Sequence, residues 1–242
     1  MTRCRGFSVP KSGRKDAENE DAFEIDLDRG AVAVADGATD SSFSRAWARL
    51  LVDAFRVWPL DPAADARALE AWLARPQALW RRMLEGRPLP WHAQHKVAQG
   101  AYAALVAAEV RADGDHVYWS ALAVGDCCLF VVENDRLEVA FPIEDPEAFG
   151  STPFLLGTNP EANRGVADHL RQRTGRAARG ARLLFMSDAL AQWFLAAARG
   201  GERPWRTLDE AEDAYAFGAL IGRLREAGAL RNDDSTLVFW ET

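Results

Sequence analysis

The 242-residue sequence has no apolar run approaching the roughly 18 uninterrupted residues that a membrane helix needs, and its opening stretch, MTRCRGFSVPKSGRKD, lacks the apolar centre of a signal peptide. The expectation is a soluble chain that resides in the cytoplasm and has no membrane partner. Positive charge is short as well. With 29 Lys and Arg against 36 Asp and Glu the formal charge is −7, which argues against generic binding to nucleic acid, because that affinity comes from cations neutralising phosphates. Cysteine is scarce: Cys4, Cys127 and Cys128 cannot build a disulfide scaffold, since neighbours in a strand point to opposite faces. Histidine is scarce too. His92 and His95 stand three apart with no further His or Cys at zinc-like spacing, and His116 and His169 have no constellation around them. Internal repeats are also missing.

What is present is ample core material. The hydrophobic share is 48%, spread along the whole length, so one domain over residues 1–242 is expected. DAFEIDLD (21–28) alternates apolar and acidic residues, as a half-buried strand does. GAVAVAD (30–36) is continuously small and apolar, as in a strand covered on both faces. An amphipathic helix carrying Trp47 and Leu50 follows, with Asp40 or Ser41 as its cap. Residues 58–95 carry five prolines among tryptophans and read as short helical pieces, a helical insert. A second helix is expected at about 96–111. Strands follow at 116–124, 127–133 and 136–141, the last two joined by a hairpin at Asn134-Asp135. From about 142 to 180 the chain reads as a long exposed excursion. A strand at 181–186, a helix at 189–199, a helix from Thr207 to Ala227 opened by a Thr207/Glu210 capping box, and a closing strand STLVFWE complete the pattern. Packed sheets with helices outside fit this order better than a parallel βαβ fold.

The chemistry sits at strand ends. Asp36 follows one apolar strand, Asp188 follows another and Asp233 precedes a third, while Glu20-Asp21 begins the strand that pairs with the one ending at Asp36. Each aspartate alone is an ordinary turn residue or helix cap. Gathered at one rim, carboxylates repel one another unless cations neutralise them. Oxygen donors select hard ions, magnesium or manganese rather than zinc. Two such ions about 3.5–4 Å apart can clamp a phosphoryl group and generate a bound hydroxide that attacks phosphorus. Gly37 lets the backbone approach such a centre and offers its carbonyl.

Five patterns occur in fixed order: AENEDAF (17–23), AVADGA (33–38), ALAVGD (121–126), LLFMSDAL (183–190) and NDDSTLVFW (232–240). This order, spanning about residues 5–240, resembles the protein phosphatase 2C family of metal-dependent serine/threonine phosphatases in its bacterial single-domain form. The resemblance implies an α+β fold, a four-layer α-β-β-α sandwich with two central, mainly antiparallel sheets and a dimetal cleft at one edge. It implies that Asp36 bridges two divalent cations, that Asp188 and Asp233 both bind one of them, that the Gly37 carbonyl serves the other, and that Glu20 and Asp21 hold water or support the ligands. Asp126 matches the position that helps bind a weaker third ion, and residues 143–168 match the flap that shapes substrate access. The implied substrate is a phosphoserine or phosphothreonine phosphoprotein, with a partner serine/threonine kinase and a place in signalling.

The sequence departs from the family pattern in three places. Where the family has an arginine that grips substrate phosphate, four residues before the Glu, this chain has Asp16; Lys15 is the first candidate to replace it, with Arg14 and Lys11 nearby. Ala189 and Gln192 replace the Gly and Asp expected after the SD pair, which weakens a third-ion site or removes it. Ala38 and Thr39 leave no histidine general acid after the DG pair. The missing arginine also supports an alternative, a pseudophosphatase or phosphoprotein-binding regulatory module with the same fold and little turnover. Asp26-Leu27-Asp28 offers a haloacid-dehalogenase-type reading, disfavoured because Arg29 and Gly30 follow.

Overall fold

The computed structural model describes residues 3–39, 43–85, 99–150 and 152–241. Among the described residues eleven strands form two sheets in which every pairing is antiparallel. One sheet has the order β1 (Arg3–Val9), β11 (Ser235–Glu241), β10 (Arg182–Met186), β6 (Cys128–Glu133), β7 (Arg136–Phe141). The other has β2 (Asp21–Asp26), β3 (Ala31–Gly37), β4 (Tyr102–Asp113), β5 (His116–Val124), β9 (Arg171–Ala178), with β8 (Leu156–Gly157) beside β4.

Three apolar clusters define four layers. Val34, Val106, Leu129, Phe185 and Val238 pack between the sheets. On the outer face of the β2–β9 sheet, Leu105 and Leu122 meet Trp47, Leu51 and Phe55 of α1 (Ser44–Val57) and Trp72 of α2 (Ala66–Leu84). On the outer face of the other sheet, Phe130 and Phe239 meet residues of three helices: Phe194 of α4 (Asp188–Arg199), Trp205 of α5 (Pro204–Asp209) and Phe217 of α6 (Ala214–Glu226). A short helix α3 (Val166–His169) leads into β9. Cys127 joins the inter-sheet cluster and Cys128 the outer one, so the adjacent thiols do face opposite ways and are free. No helix among the described residues is long and apolar enough to cross a membrane.

The helix expected at 96–111 is instead β4, for Tyr102–Asp113. Between β3 and β5 both faces of this strand are covered, so the alternation that marks a strand vanishes, and its alanines imitate a helical stripe. Residues 86–98 lie outside the described residues, so His92, His95 and Trp91 do too. Among the described residues of 58–95, where broken pieces are expected, Ala66–Leu84 is one continuous helix, α2. Asp65 caps it by accepting from the Ala68 N–H at 2.8 Å, and Pro76 lies inside it, where burial of Leu69, Trp72, Leu73 and Trp80 offsets the lost hydrogen bond. The excursion expected to run to 180 ends earlier, because Arg171–Ala178 is an edge strand whose arginines disguise it as loop. The helix expected from Thr207 to Ala227 is two, α5 and α6. The N-cap is Asp213, which accepts from the Ala216 N–H at 2.8 Å, and Glu210 closes α5 rather than completing a capping box. The Asn134-Asp135 hairpin stands, with φ of 50° and 59°. Asp40 and Ser41 fall outside the described residues.

Candidate functional site

Strand polarity explains why distant acids meet. In the β2–β3 ladder Asp21 lies opposite Asp36, so the start of one strand and the end of the next share a rim. In the other sheet Met186, the last residue of β10, lies opposite Leu237 near the start of β11 and beside Cys128 at the start of β6. Asp188, Asp233 and Asp126 therefore leave their strands at the same end. A cavity of about 210 Å³ opens there, lined by Asp36, Asp126, Asp188, Asp233, Asp234 and Arg231 with backbone from Gly37 and Gly150.

The sheets are stitched together at this rim by side-chain hydrogen bonds. The Thr236 hydroxyl of β11 donates to Asp21 Oδ2 at 2.7 Å, and the Ser187 hydroxyl accepts from the Thr236 N–H at 2.9 Å. Asp234, buried, accepts from two backbone amides: Lys11 N–H on Oδ1 and Glu20 N–H on Oδ2, each at 2.7 Å. This double acceptance holds the β1–β2 loop against the start of β11, and an asparagine oxygen could serve only one of the amides. Glu20 takes a hydrogen bond from the Ser44 hydroxyl at the start of α1 and lies 3.6 Å from Lys11 Nζ. Gly37 is required by packing: a Cβ there would come within 2.8 Å of the Ser44 backbone.

Burial and mutual repulsion push Asp36, Asp21 and Asp126 up. Burial is the largest cause for Asp36, followed by the charges of Asp21, Asp126 and Asp233. Asp21 is pushed to about 7, again first by burial, with Asp234 adding repulsion and the Thr236 and Ser187 hydroxyls opposing. Burial raises Asp126 as well. A raised carboxyl binds its proton more tightly in the folded chain than in the unfolded one. Its stabilising contribution is therefore complete below the ordinary value of 3.8 and is lost as pH rises to about 7. In chelator, Asp21→Asn should melt progressively higher than wild type as pH rises from 4 to 8, and melting points that stay parallel across that range would refute the assignment.

Of the expected site residues, Asp36, Gly37, Asp126, Asp188 and Asp233 line the cavity, and Asp21 and Glu20 support its rim. Arg14 and Lys15 do not line it. Gly13, at φ 86°, turns the loop outward; Arg14 pairs with Glu18 at 2.7 Å, and the Lys15 N–H donates to Glu18 at 3.0 Å. Lys11 is the cation of this loop that reaches inward, 3.9 Å from Asp233 and bonded to the Thr39 hydroxyl at 3.2 Å. Gln192 turns toward the Pro146 carbonyl. Sequence reading missed Arg231. Its guanidinium contacts Asp188 and stands 4.0 Å from Asp233; the available signal was a lone cation immediately before the last acidic motif. Among the described residues no three acidic, His or Cys side chains stand close enough to hold a metal ion between them; Arg231 is paired with Asp188, and Lys11 lies 3.6 Å from Glu20. The lining donors, four aspartates and the Gly37 carbonyl among them, are all oxygen, so the residues fit hard divalent cations.

The family model for protein phosphatase 2C matches residues 11–223. The chain belongs to the protein phosphatase 2C family. Solved structures share this phosphatase fold over nearly their whole length. The photosystem II phosphatase PBCP is 14% identical, with 100% of this chain and 99% of that one covered and a TM-score of 0.63. The catalytic domain of the serine/threonine protein phosphatase PstP in complex with two manganese ions is 16% identical, with 99% and 97% covered and a TM-score of 0.62. PppA, a regulatory component of T6SS in Pseudomonas aeruginosa, is 21% identical, with 100% and 97% covered and a TM-score of 0.56. Among curated proteins none is significantly similar in sequence. The α+β, four-layer architecture of two mainly antiparallel sheets is thus that of protein phosphatase 2C structures.

Proposed function

We propose that this protein phosphatase 2C chain is a metal-dependent hydrolase of phosphoserine and phosphothreonine monoesters in proteins, built as a single catalytic domain over 1–242. The observation that carries the reading is the convergence of aspartates from four separate segments on one cavity. The manganese complex of PstP supports divalent cations as the cofactor. Asp36, Asp188, Asp233 and the Gly37 carbonyl would hold two ions, manganese or magnesium, with Asp126 beside a third position that Gln192 leaves without a carboxylate. Such ions, when bound, supply Lewis acidity that activates water and offsets phosphoryl charge.

The chain's own residues do the rest. Asp36, flanked by Asp21, Asp126 and Asp233, gives up its proton only against strong opposition, so cation binding and deprotonation are linked. Glu20 is oriented by the Ser44 hydroxyl and by its own N–H on Asp234. Asp21, raised to about 7, keeps a proton within reach of the rim near neutral pH and orients Thr236. Gly150, Pro153 and Leu155 of the 143–168 segment form the wall over the cavity and face an incoming substrate. A partner kinase supplying the phosphoprotein is part of the proposal, as are a cytoplasmic place and a role in signalling.

The test is hydrolysis of a generic aryl phosphate and of phosphoserine and phosphothreonine peptides, with manganese, with magnesium and with chelator. Release of phosphate that requires either ion is expected. Failure to turn over any of these with either ion, together with no ion binding by calorimetry, would overturn the proposal.

A further inference from the structure

The cavity has an electrostatic problem that the aspartates cannot solve. A phosphate monoester carries two negative charges into a space lined by five carboxylates. Arg231 is the cationic side chain among the described lining residues; Lys11 sits behind Glu20, Thr39 and Asp233, engaged with all three, its side chain 18% exposed against 34% for Arg231. The backbone beneath Arg231 is braced. The Asp233 N–H donates to the Arg231 carbonyl at 3.0 Å, and Arg225 donates to the Asp233 carbonyl and, at 3.2 Å, to the Ser235 hydroxyl. The guanidinium therefore projects into the cavity from a fixed turn, one amino group on Asp188 and its Nε buried without a partner.

We propose that Arg231 is the residue that binds the phosphoryl oxygens of the substrate, supplying from the β11 side of the cavity the anion grip that the β1–β2 loop lacks. The inference rests on the reading of this cavity as a phosphatase centre. A planar fork suits two phosphoryl oxygens better than a point charge does. The same guanidinium now bonded to Asp188 competes with divalent cations for those carboxylate oxygens. Arg231 thus opposes cation binding and favours phosphate binding, whereas a residue that only held the fold would favour both.

Calorimetry of the full chain with manganese alone, and with inorganic phosphate in saturating manganese, separates these roles without turnover. Arg231→Ala is expected to weaken phosphate about tenfold or more while tightening manganese, and Arg231→Lys to return manganese to its wild-type affinity and recover part of the phosphate binding. Lys11→Ala should leave phosphate within about threefold. The inference is overturned if the wild type binds no phosphate, if Arg231→Ala leaves phosphate affinity unchanged, if both ligands weaken together, or if the loss falls on Lys11→Ala. A wild type that binds phosphate through Arg231 yet hydrolyses nothing would sink the catalytic reading and keep this one. Hydrolysis with phosphate affinity indifferent to Arg231 would do the reverse.

Discussion

Asp36→Asn should abolish manganese-dependent hydrolysis of an aryl phosphate, by at least about a thousandfold, equivalent to roughly 4 kcal/mol of barrier, while making the chain more heat-resistant in chelator at pH 8. Both signs come from one cause. Asp36 sits at the end of β3 among Asp21, Asp126 and Asp233, and burial with that repulsion disfavours its charged form. Asparagine keeps the shape and removes the charge, so the folded state is relieved where the wild type must ionise. The same charge would hold cations, so manganese binding should collapse with activity. Steady-state rates, calorimetry and melting in chelator check the three parts. Lower stability alongside lower activity would make Asp36 a structural residue, and full activity in Asp36→Asn would remove it from the chemistry altogether.

The rim was legible because an aspartate that ends a buried strand must emerge at the edge of a sheet. Asp188 and Asp233 do so at one end because antiparallel pairing sets the end of β10 beside the start of β11, and the Thr236–Asp21 bond between the sheets brings the rim of Asp36 to them. What stayed hidden follows from context. β4 looked helical since alanine serves equally on a helical stripe and in a strand covered on both faces, and only the neighbours β3 and β5 decide between them. β1 pairs with β11 across the whole chain, Arg3 opposite Glu241, a partnership no local window contains. β9 escaped notice because an edge strand needs no apolar alternation. Arg231 was missed for a related reason. A side chain on a turn has no periodicity, and its nearness to Asp188 is created by the β10–β11 ladder.

Asp234 yields the second large effect. Its two oxygens each accept a backbone N–H, from Lys11 and Glu20, and it is buried. Hydrogen bonds to a charged group contribute about 1.5–3 kcal/mol each, so Asp234→Ala should lower unfolding free energy by roughly 3–6 kcal/mol. Asp234→Asn keeps one acceptor but turns its amide toward an N–H donor, so about half of that loss is expected, partly offset because removing the charge relieves Asp21. Function should suffer beyond stability, since the amide on Asp234 Oδ2 is that of Glu20 and fixes this carboxylate at the rim of the cavity. At a temperature where Asp234→Ala remains folded, its hydrolysis should still fall at least about tenfold. Urea unfolding monitored by tryptophan fluorescence, paired with rates at that temperature, tests both halves. An Asp234→Ala protein as stable and as active as wild type would mean that the β1–β2 loop is held by something other than this carboxylate.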